Sequence, residues 1–291
     1  MTFDVPQDME DLLTAVMALE FPSFIAKTQK SIGMPIEMAI ERLPKKIRNQ
    51  MNKYTEAALQ QAFRVVLMTV DEGKILQTAR NKTHKGLVVA TGAVGGFFGG
   101  TTLALELPLS TGIMMRSVAE IAREEGEDLS QAEPCMACLS VLGLGTARYA
   151  SDSGVHTSGY FHMRHLFAAE VRKAAEYLAS NAFTEETAPF VARVLNKVVE
   201  RFGIQLTEKV AAQLVPLVGA VSGSTINYMF MSHLQRMARG HFTVRRLERR
   251  YGSERVQRAY EDIYQRVAKT VPEGSHEIER ALEEASVTRE L

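Results

Sequence analysis

The residue best placed to do chemistry is Glu106, a single carboxylate at the end of an apolar stretch. No ionisable group occurs across residues 87–105, and Pro108 follows two residues after the acid. A carboxylate among apolar side chains needs a cation, hydrogen-bond donors or a proton, because burying an unpaired charge is costly. The proline has no backbone N–H and predicts a kink beside the acid. The pattern is therefore typical of a ligand pocket at Glu106 or of an internal salt bridge to Arg116 or Arg164.

Further polar residues join this candidate pocket from later in the chain. Tyr160 and Arg164 are four residues apart and would share a helix face. We predict a functional pocket formed by Glu106, Pro108, Arg116, Tyr160, Arg164 and Asn227. The enzymatic alternative is a hydrolase that uses Glu106 with Tyr160 or a histidine, but neither HExxH nor GxSxG occurs in the chain. The sequence therefore assigns no catalytic residue.

Cys135 and Cys138 form a CxxC sequence at the start of a predicted helix. The helix dipole lowers the pKa of a thiol at that position, which is typical of a redox dithiol. A thioredoxin-like redox motif needs a βαβ context, and this chain has no such pattern. A zinc site would need two further ligands, for which His156, His162 and His165 are the nearby candidates. We expect small core cysteines, no metal and no cofactor.

The composition bounds the class of protein. The 34 basic residues balance the 34 acidic ones, so a general attraction to nucleic acid is absent. The mean hydropathy of -0.08 suits a soluble or peripherally attached protein better than one with many spans. Two cysteines and an acidic start without a secretory pattern predict a reducing compartment, the cytoplasm. A peripheral position on the inner face of the cytoplasmic membrane is the accompanying expectation, which depends on the basic cluster and the family resemblance described below.

Helical periodicity runs through almost every segment, and no segment alternates like a strand. We predict an all-α fold, with N-terminal helices over residues 1–73, a helical core over 74–270 and a C-terminal helix and tail over 271–291, together one domain. One stripe of apolar residues runs from Pro35 to Val70 and predicts a single helix. Another helix is predicted to stop at Gly203, and a late one to run from Ser253 to about Lys269.

Two apolar runs rich in small residues lie at residues 86–121 and 210–231. Glycine lets two helix backbones approach closely, so these runs predict a packed pair of central helices. The packing residues are Gly92, Gly96, Gly100, Gly219 and Gly223, the first three in GxxxG spacing. The pair would form either the core of one domain or a hairpin across a bilayer. Proline, glutamate and asparagine interrupt the runs, which favours the first alternative.

A cluster of arginines follows the second apolar run. The members that we predict as a contact are Arg245, Arg246, Arg249 and Arg250. Exposed cations attract the anionic lipids of a membrane surface, so the cluster is a candidate membrane contact. The alternative is an ordinary solvated helix face.

Five blocks together resemble the EcsC family of bacterial helical proteins. They are the glycine run 92–100, Glu106-Leu107-Pro108, RSVAEIAREEGEDL at 116–129, SGYFHMR at 158–164 and LVPLVGAVSGSTINYMF at 214–230. The resemblance implies a mainly helical cytoplasmic protein. Some members are encoded beside an ABC transporter or labelled peptidases, without an agreed active site. The expected function is that of a membrane-associated accessory protein that binds a lipid, an amphipathic ligand or a membrane-protein partner.

Overall fold

A computed structural model describes residues 3–21, 24–71, 100–144, 158–180, 188–214 and 223–270. Within these ranges the chain forms ten α-helices and no strand, which confirms the predicted all-α fold. The helices are α1 (Pro6–Glu20), α2 (Phe24–Ile32), α3 (Ile36–Glu41), α4 (Lys45–Asp71), α5 (Gly100–Glu124), α6 (Ala132–Val141), α7 (Gly159–Ser180), α8 (Ala188–Leu214), α9 (Gly223–Tyr251) and α10 (Ser253–Thr270).

One hydrophobic cluster runs through the bundle and includes apolar residues from Phe3 to Tyr260. Helix α9 contacts α1, α2, α5, α6, α8 and α10, and its apolar residues Phe230, Phe242 and Leu247 are fully buried. A helix surrounded on so many sides must be apolar along most of its buried face. The N-terminal helices therefore share their core with the helices that carry Glu106 and the arginines.

The predicted single helix from Pro35 to Val70 is wrong, because the structure divides it into α3 and α4. Pro35 has extended backbone angles and precedes α3, and Pro44 separates the two helices. The residue before a proline disfavours the α conformation, so the chain leaves the helix at this point. The carbonyl of Pro44 then accepts hydrogen bonds from the amides of Ile47 and Arg48, which begins α4.

Gly203 does not end a helix as predicted, because α8 continues through it to Leu214. It lies where α8 crosses α4, and a Cβ atom on it would lie 3.5 Å from Thr55 Oγ1. Gly240 lies where α9 and α1 approach each other more closely. A Cβ atom there would lie 2.9 Å from Leu19 Cγ and 3.3 Å from the carbonyl oxygen of Ala15. Packing therefore requires glycine at position 240 but not at position 203.

The predicted glycine-mediated pairing concerns residues that are largely outside the described ranges. Gly92, Gly96 and Gly219 are not described, whereas Gly100 begins α5 and Gly223 begins α9. The pairing therefore stays a prediction. Among the helices of the described ranges, none is both long enough and apolar enough to cross a membrane.

Candidate functional site

Glu106 lies in the second turn of α5 and points into the bundle, where only 4% of its side chain is exposed. Lys209, near the end of α8, donates a hydrogen bond from Nζ to Glu106 Oε1 at 2.8 Å and is fully buried. The internal salt-bridge alternative is thus confirmed, but the predicted partners Arg116 and Arg164 are wrong. Arg116 is exposed, and Arg164 pairs with Glu248.

Two amide side chains extend this ion pair into a short hydrogen-bonded chain. Asn227 of α9 donates from Nδ2 to Glu106 Oε1 at 3.2 Å, and Gln213 of α8 donates from Nε2 to Asn227 Oδ1 at 3.0 Å. The Lys209 ammonium also lies 5.7 Å from the centre of the Phe230 ring, a favourable cation–π arrangement. We call Glu106, Lys209, Gln213 and Asn227 the Glu106 cluster; it joins α5, α8 and α9.

The cluster leaves hydrogen-bonding capacity unused. Glu106 Oε2 and Gln213 Oε1 are both buried, and neither accepts a hydrogen bond from the part of the chain that the structure describes. Buried polar atoms are nearly always paired, since an unmade hydrogen bond in the interior costs free energy. Both atoms are acceptors, so only an N–H or O–H donor could satisfy them.

Pro108 lies inside α5, and the helix continues on both sides of it. Because proline has no N–H, the carbonyl of Ala104 cannot receive the usual helical hydrogen bond from position 108. The hydroxyl of Ser110 donates to the carbonyl of Leu107 at 3.2 Å. One backbone hydrogen bond of the helix is thus missing within one turn of the buried acid.

The structure brings together Glu106 and Asn227 from the predicted pocket, but it places Tyr160 and Arg164 elsewhere. The Tyr160 hydroxyl lies 2.9 Å from His241 Nδ1, on α9. Asn227 and His241 are 14 residues apart on that helix, which corresponds to roughly 21 Å along its axis. The predicted pocket is therefore two separate sites.

The second site fastens the beginning of α7, the segment that contains SGYFHMR. The Glu20 carboxylate of α1 accepts hydrogen bonds from the amides of Gly159 and Tyr160 and from the Tyr260 hydroxyl, each at 3.0 Å. The first amides of a helix have no partners within it, so a carboxylate from another helix satisfies them. Burial raises the pKa of Glu20, and these amide hydrogen bonds oppose that rise. Burial also raises the pKa of Tyr160 to about 12.

The four arginines proposed as a membrane contact are engaged within the protein. Arg245 forms ion pairs with Glu127 and Glu133, both at 2.8 Å. The remaining pairs connect Arg246 to Asp11, Asp8 and Glu125, Arg249 to Glu127, and Arg250 to Asp8. Arg249 and Arg250 remain exposed at their outer surface. The cluster attaches α9 to α1 and to the segment after α5, so neighbouring carboxylates offset its positive charge.

Cys135 and Cys138 are free thiols in the core. Burial raises the pKa of Cys135 to about 12 and that of Cys138 well above its usual value. The expected small core cysteines are confirmed, and desolvation outweighs the helix dipole in setting the direction of both pKa shifts. Within the described residues, no three His, Cys, Asp or Glu side chains form a group that could hold a metal ion. His162 and His165 are exposed on α7, and His156 lies outside the described residues.

Sequence reasoning missed Lys209, although the sequence contains a usable indication of its role. Lys209 is the last ionisable residue before a run that contains no Asp, Glu, Lys, Arg or His until His233. Glu106 ends the other long run without ionisable groups. Opposite charges at the borders of two apolar runs that pack together are expected to meet. Gln213 has no comparable indication.

The comparisons with known proteins agree with the resemblance noted in the sequence. A family model for the EcsC protein family matches residues 9–247, most of the chain, and this range includes every residue of the Glu106 cluster. No curated protein and no solved structure matches the chain. The chain belongs to the EcsC protein family.

Proposed function

We propose that the protein is a membrane-associated accessory protein that binds a lipid surface through one end of its helical bundle. The observation that carries the proposal is the exposure of Leu105 and Leu109, at 77% and 55%, on consecutive turns of α5. The chain that precedes Leu105 has no ionisable residue from Leu87 onward. An apolar surface next to a long uncharged segment is typical of a site that contacts another apolar phase.

Tyr228 adds to this surface. It is 46% exposed and adjoins Asn227, whose side chain contacts Glu106, so it lies at the same level of the bundle as Leu105. Tyrosine is common where one side of a ring is apolar and the other meets water, as at a membrane surface. We call Leu105, Leu109 and Tyr228 the apolar end.

The charges of the described residues favour apolar contact over electrostatic attraction. Arg245, Arg246, Arg249 and Arg250 are paired with carboxylates, and this removes most of their capacity to attract anionic lipid. Basic residues that precede the apolar run in the sequence supply a second, salt-sensitive contribution: Lys74, Arg80, Lys82 and Lys85. The free thiols of Cys135 and Cys138 suit a protein of the cytoplasmic side.

Vesicle flotation tests the proposal. Inserting a leucine side chain into an apolar phase contributes about 1.5 kcal/mol or more. Replacing both Leu105 and Leu109 by Gln is therefore expected to weaken binding about a hundredfold. The matched control replaces Leu13 and Leu166, two exposed leucines on α1 and α7, by Gln. The control should bind like the wild type.

Equal binding by both double variants would contradict the apolar end as the contact. Absence of wild-type binding to vesicles with and without anionic lipid would remove the proposed function itself. Binding that disappears on mild protease treatment of native membranes, while protein-free vesicles are not bound, would assign the apolar end to a membrane-protein partner instead.

A further inference from the structure

We infer that Arg116 of α5 and Arg64 of α4 contact the phosphates of an anionic leaflet when the apolar end enters the acyl region; this rests on the proposed function. Arg116 lies seven residues after Leu109 and eleven after Leu105 on one continuous helix. Seven and eleven residues are about two and three turns, so the three side chains leave α5 in directions that differ by no more than roughly 40°. The arginine therefore extends the exposed face that the two leucines begin.

The spacing along the helix places Arg116 at the depth of lipid headgroups. Leu109 and Arg116 are separated by roughly 10 Å along the axis of α5. The side chains of a helix incline toward its N-terminus, so the guanidinium reaches back toward the leucines. The apolar surface of an interfacial helix enters about 5–10 Å into the boundary between headgroups and acyl chains. The guanidinium would then meet the phosphates while the leucines meet the acyl chains.

Arg116 differs from the arginines at the end of α9, which are paired with carboxylates. It is exposed, and it forms no ion pair with any residue in the described ranges. The nearest acid along the helix is Glu120, one turn farther from the leucines. Burial raises the pKa of Glu120 to about 7, so at neutral pH this carboxyl is ionised only in part. Most of the charge of Arg116 is therefore available to an anionic surface.

Arg64 adds a second cation from the neighbouring helix. The side chain of Gln61 on α4 packs against Gly112 of α5, where its Cγ would be 3.1 Å from a Cβ atom. Arg64 lies one turn after Gln61, is exposed, and has no ion pair within the part of the chain that the structure describes. Gly112 lies between Leu109 and Arg116 in the sequence, so both arginines border the same segment of α5. Two uncompensated cations beside an apolar surface are complementary to an anionic leaflet.

Vesicles with and without a negatively charged lipid test the assignment. The two compositions are phosphatidylcholine alone and phosphatidylcholine mixed with phosphatidylglycerol. Near an anionic membrane surface each cation contributes about fivefold in affinity. Replacing Arg116 or Arg64 by Gln is therefore expected to weaken binding to the mixed vesicles about fivefold, and replacing both about twenty-five-fold. The affinity for phosphatidylcholine alone should stay that of the wild type. This effect is smaller than the one expected for the two leucines of the apolar end.

The matched control is Arg172→Gln on α7, which also removes one exposed positive charge. Glu170, two residues before Arg172, pairs with Arg193, which is 16 positions before Lys209 on α8. Lys209 contacts Glu106 beside the apolar end, so the control lies roughly 24 Å along α8 from the proposed contact. It should keep the full preference of the wild type for the mixed vesicles.

The possible outcomes are distinct. Arg116→Lys preserves the charge and should bind the mixed vesicles like the wild type. If the variants with Gln at positions 116 and 64 keep the wild-type preference for the mixed vesicles, the inference is wrong and the proposed function stands. The same conclusion follows if wild-type protein does not distinguish the two compositions, or if Arg172→Gln loses as much affinity as Arg116→Gln. If wild-type protein binds neither composition, the proposed function fails and the inference fails with it.

Discussion

The buried ion pair between Glu106 and Lys209 yields the sharpest prediction. The two side chains lie 2.8 Å apart and are almost completely excluded from water. Removing one partner leaves the other charge buried and uncompensated, which costs about 3–5 kcal/mol. Glu106→Gln keeps the size of the side chain and an acceptor for Lys209 and Asn227. Any loss in the free energy of unfolding would therefore result from the missing charge. Lys209→Met keeps the length of the aliphatic stem.

The double variant Glu106→Gln/Lys209→Met is expected to lose much less stability than the two single variants lose together. With both charges removed, no uncompensated ion remains in the core, so the coupling energy should be about 3 kcal/mol. Guanidinium unfolding, followed by circular dichroism at neutral pH, measures the four free energies of unfolding. The exposed pair of Arg239 and Glu124, at 2.9 Å, is the control. Its coupling energy should not exceed about 1 kcal/mol.

Two results would refute this reasoning. Single substitutions of Glu106 or Lys209 that cost less than about 1 kcal/mol would show that the charges are solvated in solution. Additive single losses in the double variant would show that the two residues do not interact.

Three further predictions concern packing, pH and thiol reactivity. Gly240→Ala is expected to lower the free energy of unfolding by about 1–3 kcal/mol, because α1 leaves no room for a Cβ atom. Gly203→Ala should raise it by about 0.5–1 kcal/mol. Thermal unfolding of the two variants measures both changes. Burial raises the pKa of Glu120 from 4.5 to about 7. The folded state then holds a proton that the unfolded state loses as pH rises above 4.5. Glu120→Gln should therefore stabilise the protein increasingly over that interval, by up to about 3 kcal/mol at pH 8. Because Cys135 and Cys138 are buried, a disulfide reagent should label neither thiol in native protein and both in denaturant.

Each of these predictions would be contradicted by a particular result. A stabilising Gly240→Ala substitution would show that α1 and α9 are farther apart than the structure has them. A difference between wild type and Glu120→Gln that is constant from pH 4 to pH 8 would show that this carboxyl has the same pKa in both states. Fast labelling of native protein would place Cys135 or Cys138 at an accessible surface.

The arginine cluster shows how far sequence reasoning reaches. The sequence predicted a group of basic residues beyond the second apolar run, and these residues lie on the last turns of α9, which ends at Tyr251. Whether such a group faces solvent or carboxylates depends on distant segments. Asp8 and Asp11 are more than two hundred positions from the arginines that they bind. Charge patterns along one helix contain no information about these partners.

The sequence by itself determined the helical class, the family and the presence of a buried acid at Glu106, because these depend on local periodicity and on the order of motifs. Only the tertiary structure decided that Lys209, 103 positions away, pairs with this acid. It also separated Tyr160 and Arg164 from Glu106. The physical reason is that helical periodicity establishes which face of a helix is buried, whereas the packing of α5, α8 and α9 determines which buried polar groups meet.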